Sequence, residues 1–90
     1  MKIQLDIQNI KETVEGDSPD ELLKKIKDEA SKRAPLLLRG AIKAMSPLKF
    51  AGEAVKHHNR TKNADDPTPE SAQQFLDWSV ACGYVKIIEN

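Results

Sequence analysis

Gly16-Asp17-Ser18-Pro19-Asp20-Glu21 divides the chain into two periodicities, and its own chemistry starts a helix. Ser18 suits an N-cap. Pro19 suits the first helical position, where its missing N–H costs nothing, and Glu21 three residues after the cap completes a capping box. Beyond it, Leu22, Leu23, Ile26, Ala30 and Ala34 fall on one face of a helical wheel. The opposite face carries the i, i+4 pairs Asp20–Lys24, Glu21–Lys25, Asp28–Lys32 and Glu29–Arg33. Each such pair contributes about 0.2–0.5 kcal/mol in this acid-to-base order.

Before that boundary the period is two. Ile3, Leu5 and Ile7 alternate with Lys2, Gln4, Asp6 and Gln8, the pattern of a half-buried strand over 2–8. Ile10 breaks the parity, so Gln8-Asn9 is either a tight turn into a second strand over 10–15 or a bulge in one long strand.

After the first helix, Pro35 disfavours helical geometry at Ala34 and starts a second helix that runs to about Met45. Leu37, Leu38, Ala41, Ile42, Ala44 and Met45 cover more than half its circumference, which predicts the most buried helix of the chain. Ser46-Pro47 opens a third helix to about Asn59, with Phe50, Ala51, Ala54, Val55 and His58 on its apolar side. A polar loop spans 60–68. Thr68-Pro69-Glu70 then reads as another cap-plus-proline start, followed by Ala72, Phe75, Leu76, Ser79 and Cys82 at helical spacing up to Gly83, a natural C-terminal stop. Tyr84-Val85-Lys86-Ile87-Ile88 ends the pattern as a short strand whose backbone groups are best satisfied by the N-terminal strand. The expectation is one α+β domain over 1–90: about four helices in the middle and a small antiparallel sheet made by the N-terminal strand or hairpin and the C-terminal strand.

Composition narrows the function classes. Ninety residues with 39% apolar and 31% charged side chains suffice for one core, and only Phe50, Phe75, Trp78 and Tyr84 are aromatic. No apolar run reaches the roughly 20 residues of a membrane span, and the strict alternation of the first residues does not suit a signal peptide. The single Cys82 rules out an internal disulfide and a thiolate-rich zinc finger. A cytoplasmic chain is expected.

No cofactor pattern and no catalytic set emerges, so the chain is read as non-enzymatic. Gly16, Gly40, Gly52 and Gly83 never cluster into a phosphate-cradling loop, and Ser18, Ser46 and Thr68 are accounted for as helix caps. Cys82 sits where a helix C-terminus disfavours a thiolate, with no histidine near it in sequence, and reads as a small buried residue. A metal site would need Glu53 with His57 at i, i+4 plus Asp65 or Asp66 folding back from the loop. The better expectation is no metal, with His57 paired to Glu53 and His58 at the core edge.

Charge is uneven although its formal sum is zero. Residues 1–23 hold two bases against six acids, 24–62 eleven against three, and 63–90 one against five. Within the basic middle, Arg39, Lys43, Lys49, Lys56, Arg60 and Lys62 face the lone acid Glu53. Arg39 with Lys43 and Lys56 with Arg60 are like-charge i, i+4 pairs that an anion would relieve. Two helices joined at Met45-Ser46-Pro47 resemble a helix-turn-helix, and Gly83-Tyr84-Val85-Lys86 looks like the entrance to a winged-helix wing. That resemblance implies nucleic acid as the ligand of those six bases. Against it stand Glu53 in the middle of the face and a pI near 6.7.

The first expectation is therefore a small intracellular binding or protein-interaction module, with a protein partner or a second copy of itself. Basic middle and acidic ends would pair head to tail. The alternative is a nucleic-acid binder using the basic face of 39–62.

Overall fold

A computed structural model describes residues 1–7 and 10–89, with the side chains of Ile7, Ile10, Leu36 and Leu37 outside the description. Its elements are β1 (Lys2–Ile7), β2 (Ile10–Glu15), α1 (Pro19–Arg33), α2 (Leu36–Ala44), α3 (Pro47–Lys62), α4 (Ala72–Cys82) and β3 (Val85–Glu89). The fold is α+β. One antiparallel sheet has the order β2-β1-β3, so strands from both ends of the chain flank β1. The pairing of Ile7 with Ile10 makes β1 and β2 a hairpin, whose connecting Gln8-Asn9 lies outside the described residues.

The register explains why this sheet has one dry and one wet face. Ile3 pairs with Val14 and Leu5 with Val85 on the core side, while Ile87, also opposite Ile3, remains 45% exposed. On the other side Lys2 lies between Glu15 and Glu89, and Asp6 opposite Lys11, so opposite charges oppose one another across the strands. A bulge between the Lys2 and Ile3 pairs shifts the end of β3.

Helix α1 starts as its sequence dictates. Ser18 Oγ accepts the Glu21 N–H at 3.2 Å, while the Glu21 carboxylate reaches back to the Asp17 N–H rather than to that of Ser18. Leu22, Leu23 and Ile26 bury its inner face. Of the four expected ion pairs, Glu21–Lys25 and Glu29–Arg33 form; Lys32 meets Glu29 instead of Asp28, and Arg33 also reaches Glu12 of β2 at 2.7 Å. Ala34 is extended at the Pro35 boundary.

Helix α2 corrects the expectation of a most buried helix. None of its described residues is buried, and Leu38 is 55% exposed. The reason is room. A three-stranded sheet has one inner face, and α1 on β2, α4 on β3 and α3 against both helices already fill it. Among the described residues, core side chains come from β1, β2, β3, α1, α3 and α4: Ile3, Leu5, Val14, Leu22, Val55 and Phe75 are representative. Helix α2 instead doubles back along α1, with cations closing both helix ends. Arg39 Nη2 donates to the carbonyls of Lys32 and Ala34 at the end of α1, and Lys27 Nζ donates to those of Lys43 and Met45 at the end of α2.

Helix α3 outruns the expected end at Asn59 by three residues, because nothing breaks it before Asn63, which takes the left-handed conformation (φ 52°) that stops it. The start of α4 is also corrected. Its N-cap is Ser71, whose Oγ accepts the Gln74 N–H at 3.1 Å, not Thr68. Pro69 is buried, and Thr68 lies where Cγ2 would stand 3.4 Å from a Cβ on Gly52, so this stretch packs on α3 rather than starting a helix. Gly83 ends α4 at φ 86°, as its position predicts.

Candidate functional site

Two features rise above the scaffold: the basic segment and a polar cluster around His58. Of the six bases, Arg39 and Lys56 have partners within the chain. Arg39 is spent on the end of α1. Lys56 Nζ lies 3.6 Å from Glu53 Oε1, which also corrects the expected Glu53–His57 pair, and His57 is exposed. Arg60 and Lys62 occupy the last turn of α3, where cations offset the helix dipole. Lys43 and Lys49 are exposed. The main packing partner of α2 is α1 rather than α3, and β3 pairs with β1.

The cluster lies where α3, the loop after it and the end of α4 meet. His58 is on α3, and its position there is set by the buried Ala51 and Val55 on the same side. His58 Nδ1 and Tyr84 Oη are hydrogen-bonded at 2.8 Å, and His58 Nε2 lies 3.4 Å from Asp66 Oδ2. The Trp78 indole N–H donates to the same carboxylate oxygen at 2.9 Å. Cys82, half-buried one residue before Gly83, completes the group: the ligand atoms of His58, Asp66 and Cys82 all lie within 4.8 Å of one another.

Each partner is held from behind. The left-handed turn at Gly83 lets the Tyr84 N–H bond the Ser79 carbonyl at 2.9 Å, while the Tyr84 carbonyl accepts the Asp6 N–H at 2.8 Å and so ties the cluster to β1. Asn59 fixes the loop. Its Nδ2 donates to the Asp66 carbonyl and its Oδ1 accepts the Asp66 N–H, both at 3.0 Å. The rings interlock: His58 stands edge-on to Trp78 at 5.0 Å and to Tyr84 at 5.6 Å, and Trp78 stacks on Phe75, which meets Phe50. All four aromatic residues thus join one row from the core to the surface.

The cluster offers an imidazole, a carboxylate and a thiol. Burial, and then the neighbouring Asp66 carboxylate, push the Cys82 thiol up from its ordinary range. That disfavours a resting thiolate nucleophile. The histidine absent from the sequence neighbourhood of Cys82 is supplied in space by His58, 24 positions away by their numbers. Glu53 and His57 with a loop aspartate, the set a metal site would have needed by local spacing, are not brought together; Asp66 folds back, but onto His58. No local motif marks this grouping, because its members come from three separated segments. Among the described residues no helix is long and apolar enough to cross a membrane. No protein-family model, curated protein or solved structure matches the chain.

Proposed function

We propose that the chain is a non-catalytic intracellular interaction module that assembles head to tail with copies of itself. The observation that carries this reading is where the large apolar side chains remain exposed. Among the described residues these are Leu38 and Leu48, in the basic middle, and Val80, Ile87 and Ile88, in the acidic C-terminal part. Val80 and Ile87 line one shallow surface depression with Met1 and Asp77.

Both groups of side chains leave apolar area in water that a contact would remove at about 25 cal/mol per Å². Lys43 and Lys49 accompany the first group in sequence, while the second lies in a segment of five acids against the one base Lys86, so opposite net charge draws the two together. Opposite charge therefore favours contact of the first group with the second, repeated head to tail, over contact of either group with its own kind. Such a contact closes into a ring or grows. The free Cys82 suits a reducing compartment. Nucleic acid is the less favoured partner, because Arg39 and Lys56 are engaged within the chain.

Light scattering on a sizing column tests the reading with two variants, Leu38→Asp and Ile87→Asp, checked for folding by circular dichroism. The wild type is expected to exceed monomer mass at high concentration, and each variant alone to be monomeric. An equimolar mixture regains a heterodimer, since each variant keeps the patch the other has lost. A wild type that is monomeric throughout, or a mixture that stays monomeric, overturns the proposal. Tight binding of a short duplex that Lys43→Glu and Lys49→Glu abolish would put nucleic acid in its place.

A further inference from the structure

We propose that His58, Asp66 and Cys82 form a three-ligand site for a zinc-class divalent transition ion, with water as the fourth ligand. The three donors come from α3, the loop and the end of α4, and their ligand atoms lie within 4.8 Å of one another. In a tetrahedral zinc site, with bonds of roughly 2.0–2.3 Å, neighbouring ligand atoms are about 3.3–3.6 Å apart. His58 Nε2 and Asp66 Oδ2, at 3.4 Å, already have that spacing. Cys82 Sγ lies within 4.8 Å of both, so binding requires it to turn toward them.

The groups behind the ligands are those an ion requires. A metal-bound imidazole keeps its orientation through a hydrogen bond on the other nitrogen. Tyr84 Oη provides it at Nδ1: with the ion on Nε2, Nδ1–H donates to the phenol oxygen, and the pair stays hydrogen-bonded. Trp78 steadies the Asp66 carboxylate, and Asn59 fixes its backbone.

Donor chemistry selects the class of ion. Sulfur and imidazole favour zinc, cobalt(II) and their neighbours over magnesium and calcium, which take oxygen ligands. Thiolate and carboxylate together neutralise the dication, and the Cys82 thiol gives its proton to solvent as the metal–sulfur bond forms. The side chains of His58 and Asp66 are 13% and 36% exposed, which leaves a path for the ion and its water.

Cobalt(II) is the probe, added to the whole chain with a non-thiol reductant. The expected result is saturation at one ion per chain, with a thiolate-to-cobalt charge-transfer band, the visible bands of four-coordinate cobalt, and quenching of Trp78, the sole tryptophan. Cys82→Ser removes the charge-transfer band; His58→Gln and Asp66→Asn each weaken binding at least tenfold; His57→Gln changes nothing. Zinc displaces cobalt stoichiometrically and raises the melting temperature. Absence of the charge-transfer band in the wild type overturns the site. So does equal affinity in the folded His58→Gln and Asp66→Asn variants, or loss of binding in His57→Gln. These readouts hold for a monomer or an oligomer, so the site stands or falls independently of the assembly proposed above.

Discussion

The side-chain amide of Asn59 grips the main chain of Asp66 from both sides, donating to its carbonyl and accepting from its N–H at 3.0 Å each. A single residue of α3 thereby satisfies two polar groups of the loop and places the Asp66 carboxylate beside His58 and Trp78.

Asn59→Ala is accordingly expected to destabilise the chain by about 1–3 kcal/mol, since two part-buried backbone groups lose their partners. Asn59→Asp keeps the acceptor but loses the donor, and falls between the two. Urea unfolding followed by Trp78 fluorescence measures both, and an unchanged midpoint in Asn59→Ala would show that the loop holds itself.

Ser31 is buried, and its hydroxyl has no hydrogen-bond partner. Ser31→Ala removes an unsatisfied polar group at little loss of volume and should raise stability by roughly 1 kcal/mol. Ser79 is the contrast: equally buried, its Oγ donates to the Phe75 carbonyl at 2.8 Å, so Ser79→Ala brings no such gain. Thermal melts of the two variants should shift in different directions or by clearly different amounts.

Two glycines predict opposite signs. Gly40 lies within α2 with no atom within 4 Å of where a Cβ would stand, so Gly40→Ala should stabilise by about 0.5–1 kcal/mol through helix propensity. Gly83, at φ 86°, ends α4 in the left-handed region, and Gly83→Ala should cost about 1–2 kcal/mol. Denaturant midpoints decide both, and the second variant should also disturb the Tyr84–His58 hydrogen bond.

The raised thiol of Cys82 fixes a pH dependence. Its neutral form is favoured in the folded chain, so this contribution to stability is complete below the thiol's unfolded pKa and is lost as pH rises through the folded one. Without added metal, iodoacetamide should therefore modify the folded chain more slowly than the urea-unfolded chain at mildly alkaline pH. Asp66→Asn should narrow the gap without closing it, because burial is the larger cause. Mass spectrometry of the alkylated peptide gives the rates, and faster reaction in the folded state would contradict the direction of the shift.

Local chemistry written in the sequence reappears in the fold where its causes are local. Ser18 and Ser46 cap the helices they precede, Pro35 separates α1 from α2, and Gly83 ends α4. The alternation of Ile3 and Leu5 places both in the core, and pairing of the last strand with the first follows from its unsatisfied backbone. One helix start and one helix end differ from the expectation. Thr68-Pro69 has the residue types of a helix start but packs on Gly52 instead, and the polar run from Arg60 to Lys62 is helical because no stop precedes Asn63.

The sequence by itself determined the α+β class, the order of the elements and most helix boundaries, because caps, prolines and periodicity act within a few residues. Tertiary structure alone decided that the described side chains of α2, from Leu38 to Ala44, stay outside the core, since that depends on how many helices one three-stranded sheet can cover. It alone brought His58, Asp66, Cys82 and Tyr84 together. His58, Asp66 and the Cys82–Tyr84 turn are separated along the chain by more than a local period, and the packing of α3 on α4, the return of β3 to β1 and the Asn59 clasp close the distances between them.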